Sequence, residues 1–182
     1  MPGAISKEFI FNNNAGDIYH LLTDIIDYIE RSGSVEEHTI SKLKMVLVEL
    51  LTNSLKHSGG DKSIMLITLS PDEITIRKTD TGNALAIKQE DGRLQWPLSP
   101  QQEFAAEIEV YRDLSCTLKA RLNGACRVQF FIEEFEAYQM PDLSKLTEHF
   151  GFMILARACN SFEYEFDITN GTNNFTVALG KK

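Results

Sequence analysis

Val48-Glu49-Leu50-Leu51-Thr52-Asn53-Ser54-Leu55-Lys56-His57-Ser58-Gly59-Gly60 places a carboxylate, a carboxamide and an ammonium on one stripe of an otherwise apolar segment. At about 100° per residue, Glu49, Asn53 and Lys56 fall within roughly 60° of one another on a helix, because spacings of four and seven return side chains to one face. Ile40, Leu43, Leu47, Leu50, Leu51 and Leu55 take the other side, the recurrence of a helix packed on a core. A carboxylate and an amide oxygen one turn apart can hold a base and a hard metal ion beside a polyphosphate. The same stripe also suits a solvated polar face. The residues farther along the chain decide between them.

Around this helix the chain reads as alternating strands and one-sided helices. Ser6 to Phe11 is a short strand, with Phe9 and Phe11 alternating with polar neighbours. Asn12-Asn13-Asn14 offers caps for a helix carrying Ile18, Leu21, Leu22, Ile25, Ile26 and Ile29 on one side, and Gly33 is expected to end it in positive φ. Ser34-Val35-Glu36-Glu37 is a capping box for the next helix, which Gly59-Gly60 stops. Ile64 to Leu69 is a strand, Pro71-Asp72 a turn, and Glu73 to Thr79 a half-buried strand that delivers Asp80 at its end. Gly151 opens a helix with Phe152, Leu155, Ala156 and Cys159 inward. Phe162, Tyr164, Phe166 and Ile168, then Phe175, Val177 and Leu179, make a closing hairpin.

Two further motifs stand after the first, in order. Asp80-Thr81-Gly82-Asn83-Ala84 sits at the end of a strand, where it also suits an ordinary turn. Glu148-His149-Phe150-Gly151-Phe152-Met153-Ile154-Leu155 leads into a helix. With these, the chain resembles the histidine-kinase-like ATPases, which share the Bergerat ATP-binding fold. Glu49, Asn53, Lys56, His57 and Ser58 match that family's N-box without departure, and Asp80 to Ala84 is similar to its first glycine box. Glu148 to Leu155 resembles the second, Gly-x-Gly-Leu, except that His149 stands where the first glycine usually sits. Ser161 to Leu179, with Asn170-Gly171-Thr172-Asn173 at its turn, resembles the terminal hairpin. The resemblance covers roughly two thirds of the chain.

What the resemblance implies is specific. The fold would be an α/β (α+β) two-layer sandwich, with a mixed β-sheet and helices on one face. ATP would lie between the N-box helix and the sheet's helical layer. Asp80 would accept the adenine amino proton, while Gly82 and Ala84 would let the chain approach the base. Asn53 would bind Mg²⁺, with Glu49 as general base, Lys56 offsetting phosphate charge and His57 completing the box. Gly151 would present N–H groups to the phosphates, and Thr172 would support the adenine end. His149 would donate to a phosphate, block the close approach that glycine permits, or be an ordinary loop histidine.

Residues 85–147 form the ATP lid in that family, but here the interval is too long and too patterned for one loop. Ser99-Pro100-Gln101-Gln102 is a helix cap, with Phe104, Ile108 and Tyr111 following at helical spacing. Asn123-Gly124, flanked by Thr117 to Leu122 and Cys126 to Phe135, signals a hairpin. An inserted helix and a hairpin extending the sheet are therefore expected within a single domain spanning residues 1–182.

The net charge of −8 argues against a nucleic-acid or anionic-membrane surface, and no apolar run approaches a membrane span. No leader pattern stands at the start, and the odd count of three cysteines suits reduced thiols, so a cytoplasmic chain is expected. With a two-residue Asn123-Gly124 turn, Cys126 would oppose Arg121 and Cys116 would oppose Phe131, leaving both, like Cys159, as packing residues. The segment before the N-box reads as a strand and one helix, unlike the two-helix phosphoacceptor hairpin of sensor kinases. That layout resembles stand-alone serine/threonine kinases that act as anti-sigma factors, with a sigma factor, an anti-anti-sigma-like protein or another signalling protein as partner. The readings that compete with a kinase are a protein-interaction module of the same fold, with or without nucleotide, and a detached histidine-kinase catalytic domain. A homodimer is compatible with any of them.

Overall fold

The computed structural model describes residues 3–57, 59–89, 92–99, 105–113, 115–134 and 150–182. His149, Ser58, Phe104 and the Pro100-Gln101-Gln102 part of the expected helix cap lie outside these residues.

The main sheet is built from β1 (Ile5–Phe11), β2 (Ser63–Leu69), β3 (Glu73–Asp80), β6 (Glu107–Arg112), β7 (Cys116–Leu122), β8 (Arg127–Glu134), β9 (Ser161–Asp167) and β10 (Thr172–Gly180). These eight strands lie in the order β1-β2-β3-β10-β9-β8-β7-β6. Every neighbouring pair is antiparallel, so the expected mixed sheet is corrected to an antiparallel one. Each strand meets its neighbour through a hairpin or a return connection, which leaves no parallel crossover to form. A separate hairpin pairs β4 (Ala86–Gln89) with β5 (Gly92–Gln95).

Strand alternation builds the core. Ile67, Ile76, Val177, Phe162, Phe130 and Ala120 face one another in successive registers, a continuous apolar row across six strands. All six are buried. Helices α1 (Ile18–Ser32), α2 (Glu37–His57) and α3 (Phe150–Ala158) cover this face with Leu21, Ile25, Ile29, Leu43, Leu47, Leu50, Leu51 and Leu155. The other face carries Thr75, Arg77, Glu163, Glu165, Arg127 and Arg121. Its ion pairs, Arg127–Glu165 at 2.9 Å and Arg121–Glu107 at 2.8 Å, are exposed and add little stability. The result is a two-layer α/β sandwich. Among the described residues, no helix is long and apolar enough to cross a membrane.

Several local expectations change. Ile108 and Tyr111 stand on strand β6, not on a helix, and the register slips between Glu109 and Tyr111. Pairing along β7 outweighs the coincidence of helical spacing there. The Asn123-Gly124 turn is longer than two residues: Asn123 N–H donates to Arg127 O, and Gly124 takes φ +79°. The register shift puts Cys116 opposite Glu134, and leaves Cys126 in the turn. All three cysteines are free thiols. Gly33 ends α1 in extended backbone, φ 167°, so positive φ is not its role. Helix α2 begins at Glu37, later than Ser34. Ile168 lies beyond the end of β9 and is exposed.

A polar chain fixes the end of α2. Ser63 Oγ donates to Asn13 Oδ1 at 2.9 Å and bonds Ser54 Oγ at 3.1 Å, and Asn13 Nδ2 donates to Gly60 O at 2.7 Å. The turn after α2 is thereby tied to β2 and to the β1–α1 connection.

Candidate functional site

The last turns of α2, the ends of β3 and β10, the β4–β5 hairpin and the first turn of α3 enclose a cleft of about 1110 Å³. From α2 come Glu49, Asn53, Lys56 and His57; from the β3 end Lys78, Asp80 and Ala84; from α3 Gly151. Three motifs that the sequence holds far apart thus share one cavity.

Glycines make two of these approaches possible. A Cβ on Gly60 would stand 2.6 Å from Thr81 Oγ1, and one on Gly59 would stand 3.6 Å from Gly82 Cα. The turn closing α2 is thereby packed on the loop after Asp80. On the other wall, a Cβ on Gly151 would overlap Glu49 Oε1 and stand 2.7 Å from its Cδ. Glu49 is partly buried against the first turn of α3, the end of a helix whose N–H groups carry positive partial charge.

Asp80 is the most heavily engaged group. Its Oδ1 accepts from Gly82 N–H and from Asn173 Nδ2, each at 3.0 Å, and its Oδ2 lies 2.8 Å from Lys78 Nζ. The Lys78 and Asp80 side chains are 2% and 5% exposed, a buried ion pair at the cleft floor. Burial alone would raise the Asp80 carboxyl. The Lys78 charge, with the hydrogen bonds from Lys78, Asn173 and Gly82, outweighs it and holds Asp80 below the ordinary carboxylate range. Burial pushes the Lys78 ammonium down, against the pull of Asp80. Partial burial, then Lys78 and Lys56, push the His57 imidazole down as well, opposed by Asp80.

Behind Asp80 the network continues. Asn173 Nδ2 also reaches Gly82 O at 3.0 Å and Asn83 O at 3.3 Å, while Asn173 Oδ1 accepts from the Tyr164 hydroxyl at 2.7 Å. That hydroxyl accepts in turn from Leu85 N–H at 3.1 Å. Burial raises the Tyr164 phenol, so it stays a donor. Trp96 packs edge-on against Tyr164, with centroids 6.1 Å apart, which anchors the hairpin β4–β5.

Glu49, Asn53, Lys56, His57, Asp80, Ala84 and Gly151 therefore meet in the cleft. Gly82 stands behind it and serves through its backbone. Thr172 is not among the lining residues. It precedes Asn173 on β10, and Asn173 shares the inward parity of Phe175 and Val177, so Thr172 takes the opposite side of the strand. Lys78, Asn173, Tyr164 and Phe175 are the groups that sequence reasoning misses. The cleft also carries Lys88 and Arg93, so cations outnumber carboxylates along its walls. Among the described residues, no three His, Cys, Asp or Glu side chains converge to hold a metal ion. The chain matches no protein-family model and no curated protein in comparison.

Proposed function

We propose that the cleft binds ATP in a Bergerat-type site, and that the chain is a regulatory serine/threonine kinase acting on a protein partner, as anti-sigma-factor kinases do. The observation that supports this most is the convergence of Glu49, Asn53, Asp80 and Gly151 on one cavity with a cationic rim. The donor set fits the ligand. Lys56 and Arg93 suit polyphosphate, the first turn of α3 offers N–H groups, and Asp80 retains one acceptor direction for an amino group. Mg²⁺ held with the nucleotide would neutralise phosphate charge, and the Asn53 side-chain oxygen would be its protein ligand.

In the reaction, the partner's serine or threonine oxygen bonds the γ-phosphorus, the bond to the bridging oxygen breaks and ADP leaves. The hydroxyl proton passes to Glu49, a carboxylate poised at the cleft wall. Such a partner-switching kinase would act in the cytoplasm. The test is phosphate transfer from radiolabelled ATP to a co-purifying protein. Glu49→Ala should retain nucleotide binding and lose about 10²–10⁴-fold in transfer rate. Transfer by Glu49→Ala at the unmodified rate would remove Glu49 from the chemistry.

A second reading, a protein-interaction module of the same fold, draws on one observation. Asp80 already receives three donors from its own chain, which leaves it less open to a base. Unmodified protein that binds ATP yet phosphorylates no partner would favour it.

A further inference from the structure

The buried cation at the cleft floor has no part in the phosphate transfer. Lys78 precedes Asp80 by two residues on β3, so both project to the same face, and both line the cleft. An ammonium buried this deeply is costly unless it is paired. Its pairing is partial. One contact joins Asp80 Oδ2 at 2.8 Å, and the Phe175 ring lies under it, with Nζ 4.7 Å from the centroid. An ammonium has three donors, and Asp80 Oδ2 is the one hydrogen-bond acceptor it meets among the described residues. Asp80, for its part, has Oδ1 filled by Gly82 and Asn173 and one direction of Oδ2 filled by Lys78. What the floor offers a ligand is a single acceptor with a cationic donor directly beside it.

That pattern matches one edge of adenine, where a donating amino group and an accepting ring nitrogen are attached to the same carbon. We propose that Lys78 is a specificity-determining residue for the base, its ammonium donating to adenine N1 while Asp80 accepts from the 6-amino group. The inference rests on the nucleotide reading and adds to it a direct protein donor for N1. Phe175 keeps the ammonium in place from below, and Asp80 fixes its distance from the amino-binding oxygen.

The test compares Mg-ATP with Mg-1-deaza-ATP, in which N1 is replaced by C–H and the 6-amino group is kept. Both are titrated into the full chain by equilibrium dialysis. Unmodified protein should bind the deaza analogue about 10-fold more weakly or worse, the scale of one lost hydrogen bond to a charged group. Lys78→Met should weaken ATP to near the level of the analogue and bind the two alike. Equal binding of both nucleotides by the unmodified protein would overturn the proposal, whatever the variant does. That comparison alone decides the matter if Lys78→Met does not fold. Absence of ATP binding in the unmodified protein would instead remove the nucleotide reading, and this inference with it.

Discussion

The carboxylate of Glu49, on helix α2, lies against the α-carbon of Gly151, on helix α3, in a space that only a glycine leaves open: a Cβ there would overlap Oε1 and stand 3.3 Å from Cγ. The nearest atoms are the far end of a flexible side chain, so an added methyl would move the carboxylate before it moved either helix.

Gly151→Ala therefore separates stability from activity. Alanine gains up to about 1 kcal/mol of helix propensity over glycine, so the thermal midpoint should hold or rise. On the proposed kinase reading Glu49 is the base, and displacing such a group by about an ångström costs on the order of 10²-fold, so phosphate transfer should fall by that scale. Paired thermal melts and transfer rates check it. A fall in stability with activity intact would mean that the contact is only packing.

The Lys78–Asp80 pair should reverse the pH dependence of stability when it is broken. In the native chain Asp80 titrates below its unfolded value, so its stabilisation is present above about pH 4 and is lost as pH falls through the folded value. Without Lys78 the strongest opposition to burial is gone, and burial, already the largest single influence, pushes the carboxyl up. Its contribution then worsens as pH climbs past about 4. Lys78→Met should thus cost about 3–5 kcal/mol near neutral pH and much less in acid. Thermal melts from acid to neutral pH would show a gap to the unmodified protein that widens with pH; a constant gap would contradict the account.

Tyr164→Phe removes one hydroxyl and strands two groups, Asn173 Oδ1 and Leu85 N–H. A buried group left unsatisfied costs about 1–3 kcal/mol, so the two together predict a loss of about 2–6 kcal/mol in urea unfolding. Nucleotide binding should weaken as well, because Asn173 orients the carbonyls of Gly82 and Asn83 and one oxygen of Asp80.

The sequence carries the helices and most strands through strong periodicity, and the polar stripe of α2 through spacing alone. It misleads where two periods compete: Phe104, Ile108 and Tyr111 suit a helix, yet Glu107 to Arg112 also alternates, and pairing with β7 selects the strand. At β10 the placement turns on one residue. The period of two turns Thr172 to the far side of the strand and Asn173 toward Asp80 behind the cleft, and a one-residue shift is invisible without the pairing partner Asp80. Lys78 is legible. It keeps parity with Ile74 and Ile76, both fully buried, so alternation already places a lysine on the core face next to a carboxylate of the same parity. Reading charge as exposure hides the pair.

The most direct test of the central claim is equilibrium dialysis of the folded chain against radiolabelled ATP with Mg²⁺, beside Asp80→Asn as control. The account predicts a single site with a dissociation constant on the order of 1–100 µM, weakened in the variant while its melting remains cooperative. No retained ATP at millimolar concentration, in a sample whose melting confirms that it is folded, would contradict it.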